Sequence, residues 1–491
     1  MEIQTPEWVK NAVFYQIFPD RFSRSERMPH PRGIQFQPWG APPDLQGYQG
    51  GDLYGIVDHL DYLQDLGVTA LYLNPIFAAA SNHRYNAYDY LQVDPLLGGQ
   101  PALRELIDEA HHHHMRVILD GVFNHCGRGF WPFHHLLENG DASPYRDWFI
   151  VKHYPLRPYP QHHEDPNYAA WWSIPSLPKL NTNNPGVRDY LLYVTRYWLD
   201  FGMDGWRLDV PAEIDDDDFW REFRRVVKDA NPEAYIVGEI WHPAQRWLKG
   251  DMFDAVMNYQ ITGPIFNFFG SHNLNLSWHH SDVTLKTGTG AEEFRQKIEA
   301  MFELYDWEIH YAQMNMLDSH DMPRALWLLN NDKAALRLAV LCQMTMPGAP
   351  CVYYGDEIGM SAGGDPHCRE AFPWQEPAWW DQDLRRFYQA VIALRKAHAA
   401  LRTGDFAFLH AEGQTVAYRR RLADEELVVV FNASNREAGI KLSTKELSAS
   451  TYQVLWPEGE DKTERTWFGR LSLELPAQSA LILCAGKEEA S

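Results

Sequence analysis

Eight short runs of apolar and β-branched residues alternate with stretches of helical spacing, which restricts the chain to parallel βα units rather than an all-α or all-β design. The runs lie near residues 13–17, 70–74, 116–120, 205–209, 235–239, 255–258, 313–317 and 351–354. Helix-like segments separate the first of them, at 53–66, ending at Gly67, and at 101–113. Eight parallel strands with helices outside close as an α/β (β/α)8 (TIM) barrel. The gap 124–184 between the third and fourth runs is rich in Pro, His and Trp and has no clear periodicity, so it is expected to form an inserted subdomain. After Thr403 the pattern changes to strand-like segments at 415–419, 427–431 and 480–483, the mark of an antiparallel β-sandwich. The expected organisation is a barrel over 1–123 and 185–402, an inserted subdomain over 124–184, and a C-terminal β domain over 403–491.

Composition removes several function classes. The 44 Lys+Arg against 66 Asp+Glu leave a net charge of −22, which argues against nucleic acid as a partner, because phosphates need clustered cations. The most apolar stretch, 338–354, is broken by Gln343, Pro347, Gly348 and Pro350, so no membrane span is expected. The N-terminus lacks the basic start and apolar core of a secretory signal, and a cytoplasmic protein is expected. The five cysteines are scattered without CxxC spacing and read as unpaired thiols.

Several strand ends finish in carboxylates: Asp120, Asp209 and Glu239 close their runs, and Asp318 and Asp321 follow another. Any single one is readable as a helix cap, but in a barrel these ends share the face where catalytic groups gather. Arg207, two residues before Asp209 on the same strand face, is placed to hold that carboxylate ionised. Glu239 follows an apolar run, where burial would keep it protonated. One ionised and one protonated carboxyl is the requirement of a retaining glycosidase. Trp206, Trp241 and Trp247 crowd the same segments and offer faces on which sugar rings stack.

The segments DGVFNH (120–125), GWRLDVPAE (205–213), VGEIWH (237–242) and LDSHD (317–321) resemble, in order and spacing, the signature blocks of the α-amylase superfamily of glycoside hydrolases. The resemblance implies Asp209 as nucleophile, Glu239 as general acid/base and Asp321 as a third carboxylate that binds sugar hydroxyls. It also implies sugar contacts from His125, Arg207, His320, Trp241 and Arg324, with Tyr85 stacked beneath the ring. LPKLN (177–181), EIWH, FDAVMNY (253–259) and DPHCR (365–369) are similar to the cyclomaltodextrinase, maltogenic amylase and neopullulanase subgroup, which acts on cyclodextrins, pullulan and short maltooligosaccharides. Glu213 matches an acceptor-side residue of that subgroup, and the Lys-His pair of many starch-cleaving α-amylases is absent there.

Three departures accompany the resemblance. The first barrel strand begins by Val13, so the N-terminal β domain through which the subgroup dimerises is expected to be missing, leaving the oligomeric state open and the cleft wider. RFSRSERMPHPRG (21–33) lacks the subgroup's Asn/Asp-rich calcium loop and leaves only residues 50–52 in place, so no cofactor or metal is expected. Pro211 and Ala212 stand where the subgroup commonly ends in Asn, which bears on acceptor preference. The run His111 to His114 sits at a helix end, with its imidazoles pointing to different sides, and reads as no metal site. Asp215 to Asp218 reads as an acidic first helical turn, and Trp171 and Trp172 as candidate sugar contacts.

The expected activity is retaining hydrolysis of α-1,4 and/or α-1,6 bonds in cyclodextrins, pullulan, maltooligosaccharides and branched α-glucans. Transglycosylation and debranching are rivals within the same chemistry, and a non-catalytic scaffold on the same barrel is a remote one. Sucrose- or trehalose-isomerising relatives fit the LPKLN and EIWH segments less well.

Overall fold

In a computed structural model, residues 3–28, 33–160, 165–459 and 462–486 are described. The barrel strands are Phe14–Ile17, Ala70–Leu73, Arg116–Gly121, Gly205–Leu208, Tyr235–Gly238, Ala255–Val256, Met314–Met316 and Ala349–Tyr353. Each lies within two residues of its expected run. Successive strands pair in parallel, the first strand lies between the second and the eighth, and a bridge between Met257 and Met314 joins the sixth to the seventh and brings the sheet round on itself. Nearly every residue of these strands is buried, since the sheet is covered by helices outside and filled by side chains inside.

Helix boundaries follow local chemistry. Pro185–Asp200 starts where Asn184 accepts hydrogen bonds from the Gly186 and Val187 amides, with Pro185 supplying a φ already suited to the first turn. Asp217–Ala230 is capped by Asp216, which accepts from the Phe219 amide, so the acidic run is a helix start as expected. The helix expected over 53–66 is instead two, Leu53–Val57 and Leu60–Leu66, parted at Asp58 and His59. The His59 ring bonds the Gly55 carbonyl at 2.9 Å and packs 3.7 Å from Trp374 at a tilt of 39°, a side-chain alternative that competes with the helical path. Gly67 then ends the second helix at φ +97°, a conformation that favours glycine.

Between the third strand and Asn184 the chain forms the helix Trp131–Asn139 and isolated bridges such as His125 with Lys179 and Val151 with Tyr168. A further hairpin, Phe77–Ala79 with Ala87–Val93, leaves the second strand and carries Tyr85 in its loop. After the helix Ala399–Thr403, eight antiparallel strands run from Asp405 to Ala485. Their inward faces, including Val428, Val430 and Leu483 against Ile440, Leu442 and Leu473, close on one buried cluster. One buried guanidinium joins this sheet to the barrel, and a second, on the helix Gln382–Ala397, braces the segment it meets. Arg420 donates to the carbonyls of Thr345, Leu401 and Gly404, and Arg395 to those of Met344, Met346, Gly348 and Leu401. Among the described residues no helix is long and apolar enough to cross a membrane.

Candidate active site

The ends of the third, fourth, fifth and seventh strands bring their carboxylates to one end of the barrel, and a single guanidinium organises the first three. Arg207 is fully buried. Its Nη1 lies 2.8 Å from Asp120 Oδ1 and 3.2 Å from Asp209 Oδ1, while its Nη2 lies 2.9 Å from Glu239 Oε2. Glu239 is further fixed by the Val210 amide, which donates to Oε2 at 3.1 Å, and by Trp241 Nε1, which donates to Oε1 at 3.0 Å. The Val210 amide reaches Oε2 from a backbone at φ +35°, costly for a β-branched residue and a sign that the site fixes the turn after the fourth strand.

Asp120 accepts from the hydroxyls of Tyr72 and Tyr85 at 3.0 and 2.9 Å as well as from Arg207. The Tyr85 oxygen in turn lies 2.6 Å from His320 Nε2, with the two rings parallel at 5.5 Å. Gln16 donates to His320 Nδ1 at 2.8 Å, so the proton of this imidazole sits on Nε2, pointed at Tyr85 and at Asp321 Oδ2, 3.0 Å away. Arg369 holds the other Asp321 oxygen at 3.3 Å. His125 is buried with Nε2 unpartnered, 3.9 Å from Asp209 Oδ2. A buried ring nitrogen without a partner at the edge of a cleft is what a substrate hydroxyl would satisfy.

Burial raises the carboxyls of both Asp209 and Glu239; the negative charge of Glu239 raises Asp209 further, and Arg207 opposes the rise in each. Burial likewise pushes Asp120 up to about 6 against Arg207. From sequence, Arg207 was expected to sit beside Asp209 and hold it ionised. Its charge is shared among three carboxyls, and burial outweighs that share. Burial and the repulsion between the two carboxyls thus favour a proton shared by the Asp209–Glu239 pair above the ordinary carboxylate range. Burial lowers His125 to about 3 and His320 well below the usual imidazole range, so both rings are neutral donors and acceptors.

Residues 16–378 match the family model described as alpha amylase, catalytic domain. The chain belongs to the α-amylase family. It is 44% identical over 443 residues to a cyclomaltodextrinase of Geobacillus thermopakistaniensis, covering 89% of this chain and 71% of that one. It is 40% identical over 486 residues to neopullulanase 2 of Thermoactinomyces vulgaris, covering 98% and 79%. The solved debranching enzyme of Nostoc punctiforme superposes with a TM-score of 0.90 at 45% identity, covering 98% of this chain and 100% of that one. This α-amylase family member is a glycoside hydrolase on a barrel with an inserted segment and a C-terminal sheet.

Not every residue singled out from its sequence faces the cleft of this family member. Arg324 is fully buried, bonded to the Tyr354 carbonyl at 2.8 Å and to Asp356 at 2.9 Å, with its guanidinium over the rings of Tyr353 and Tyr354. It braces the eighth strand behind the site and is no sugar contact. Trp206 and Trp247 are buried in the core rather than offered to substrate. Glu213 lies at the lip, its carbonyl bonded by Lys179 Nζ at 2.7 Å. Trp171 and Trp172 stack at 4.6 Å, Trp171 lies parallel to His125 at 5.5 Å, and Trp172 stands 73% exposed, so the pair runs outward from the site. His111 pairs with Asp204 at 2.7 Å, which absorbs that member of the histidine run into the barrel wall.

Gln16, Tyr72 and Arg369 belong to the site and were not singled out from sequence. Arg369 lies in the DPHCR segment, which offered a signal. Tyr72 and Gln16 sit inside apolar strands, where nothing but their polarity marks them.

Proposed function

We propose that the chain hydrolyses α-1,4 and/or α-1,6 glucosidic bonds in cyclodextrins, pullulan, maltooligosaccharides and branched α-glucans by double displacement. The observation that carries this reading is Arg207 bridging Asp209 and Glu239 on adjacent nitrogens. One guanidinium holds both carboxyls at the same end of the barrel, and membership of the α-amylase family favours direct attack by one of them over an inverting pair standing roughly 6.5–9.5 Å apart around a water. Arg207 holds Oδ1 of Asp209, which leaves Oδ2 free to attack the anomeric carbon. In the reactive state the shared proton is on Glu239, which delivers it to the departing glycosidic oxygen. A water then attacks the anomeric carbon from the face the leaving group vacated, giving its proton to Glu239 as the ester bond to Asp209 breaks, and the α-anomer is released. Asp321, anchored by His320 and Arg369, and the neutral His125 bind the hydroxyls of the distorted ring.

The residues that remain of the calcium site do not fit a cation. Both Asp52 oxygens are taken by backbone amides, of Ser25 at 2.9 Å and Gly55 at 2.8 Å. The Arg24 guanidinium donates to the Gln49 carbonyl, placing a positive charge beside the residues a cation would need. Residues 29–32 of the 21–33 segment lie outside the described residues. We infer an enzyme that works without calcium. The free cysteines, four of them buried, support a reducing cytoplasm as its place of action.

The test is proton NMR of a cyclodextrin carrying a maltooligosaccharide branch. Ring opening with an α-anomeric first product assigns α-1,4 cleavage, and release of the branch from an intact ring assigns debranching, the reading favoured by the likeness to the Nostoc enzyme. A β-anomer would overturn Asp209 as nucleophile.

A further inference from the structure

Trp241 is the aromatic residue nearest the acid, since its Nε1 donates to Glu239 Oε1 at 3.0 Å. A leaving or incoming sugar must bring its oxygen to Glu239, so the indole face beside that carboxyl is where the apolar face of the acceptor ring would stack. Neither face of the indole is open. Tyr259, buried, covers one side at 3.6 Å and 10°. His280 covers the other at 3.9 Å and 26°, and is itself backed by Trp278 at 6.0 Å.

The two covers differ in how they are held. Tyr259 begins the helix Tyr259–Phe269 and is part of the barrel wall. His280 comes from an irregular stretch after that helix, tied down at its ends by the Asn275 amide on the Leu328 carbonyl and the Gly288 amide on the Ser271 carbonyl. Between those ties Asn267 of the helix also holds the Thr284 carbonyl at 2.9 Å and the Lys286 amide at 2.8 Å, whereas the bonds around His280 itself are local: Asn275 Oδ1 accepts from the Ser277 hydroxyl, and His280 Nδ1 accepts from the Asp282 amide at 3.2 Å. The imidazole can leave the indole without breaking a bond to the barrel.

We propose that His280 sets the acceptor preference of this enzyme by occupying the face of Trp241 that an acceptor sugar would use. The claim rests on Glu239 being the acid/base. On the glycosyl-enzyme, either water or a sugar hydroxyl attacks the anomeric carbon; the new C–O bond forms as the ester bond to Asp209 breaks, and the attacking proton passes to Glu239. Water needs no platform. A sugar does, and here it must first displace His280, so hydrolysis is favoured over transfer.

The experiment uses α-maltosyl fluoride as donor and maltose as acceptor, and measures the ratio of transfer product to hydrolysis product. This ratio does not depend on how fast the glycosyl-enzyme forms. His280→Ala should raise it about three- to tenfold at equal maltose, the worth of one aromatic stacking contact, and His280→Phe, which keeps the face covered, should return it to the parent value. His280→Gly makes the same comparison if the alanine variant does not fold. An unchanged ratio in the small variants, or an equal rise in His280→Phe, overturns the role of His280. Failure of the parent protein to release fluoride and α-maltose would overturn the proposed function instead.

Discussion

Arg207 and Asp120 are register partners on neighbouring parallel strands, and their side chains meet at 2.8 and 3.0 Å with no solvent access. Asp120 is bonded to Arg207, Tyr72 and Tyr85 rather than to the nucleophile or the acid, yet it aims the one cation that both share. Its worth is that of a positioning residue. Asp120→Ala should therefore lower stability by about 3–5 kcal/mol, because it leaves a buried guanidinium short of a charge partner. It should also lower kcat by about a hundredfold or more with a smaller change in KM. Thermal melts and steady-state kinetics on a maltooligosaccharide check both.

Replacement of the acid separates its two roles. Glu239→Gln should lose about three to four orders of magnitude in turnover on maltooligosaccharides, whose leaving oxygen needs a proton. On α-maltosyl fluoride, which leaves unassisted, the first step should fall far less, whereas Asp209→Asn should abolish it on both substrates. Burst measurements with the fluoride distinguish the two variants.

The pH profile of kcat/KM should be bell-shaped, with carboxyls carrying both limbs. Burial raises Asp209 and Glu239 alike, so the loss of their shared proton, and with it the alkaline limb, should fall above the ordinary carboxylate range. His125 and His320, both lowered by burial, contribute no limb. A substitution His125→Asn should raise KM and leave the positions of the limbs unchanged.

Asp52 gives a pH dependence of stability. Burial pushes its carboxyl from an ordinary 3.8 up to about 6, so the folded protein binds this proton more tightly than the unfolded chain. The contribution is fully present below about pH 4 and is lost as the pH rises through 6. Asp120, raised in the same sense, remains in either protein. Asp52→Asn should remove about 2 kcal/mol from the decline in stability between pH 4 and 7, read from denaturant melts across that range. An unaltered slope would mean that Asp52 titrates alike in the folded and unfolded chain.

Chelation supplies a fifth check. With Asp52 spent on amides and Arg24 lodged beside it, excess chelator should leave Tm unchanged. A fall in Tm reversed by calcium would show that other oxygens hold the ion.

The strand ends were legible in the sequence because each barrel strand is buried on both faces and so appears as an unbroken apolar run, with the carboxylate marking where the run meets solvent. Asp209, Glu239 and Asp321 stood out for that reason. Arg324 was misplaced because sequence proximity to Asp321 says nothing of direction: the chain turns after His320, and the guanidinium goes behind the sheet to Asp356. Trp206 alternates with Arg207 to the other face of its strand, and Trp247 lies in a turn beyond the fifth strand that folds into the core. The 77–93 hairpin was missed because its first strand is a mere three residues, Phe77–Ala79. His280 was invisible for a different reason: its partner Trp241 lies far off along the chain, and its own stretch has no periodicity to read.

The guanidinium groups of Arg395 and Arg420 converge on the Leu401 carbonyl and also gather those of Thr345, Met346 and Gly348, the bend through which the chain enters the eighth barrel strand. The Tyr418 hydroxyl adds a bond to Thr345 Oγ1 at 2.6 Å. That strand pairs with the first, which holds Gln16 against His320. The C-terminal sheet is thus a keystone rather than an ornament: it pins the last seam of the barrel, and a loosening there would travel one strand to the histidine that steadies Asp321.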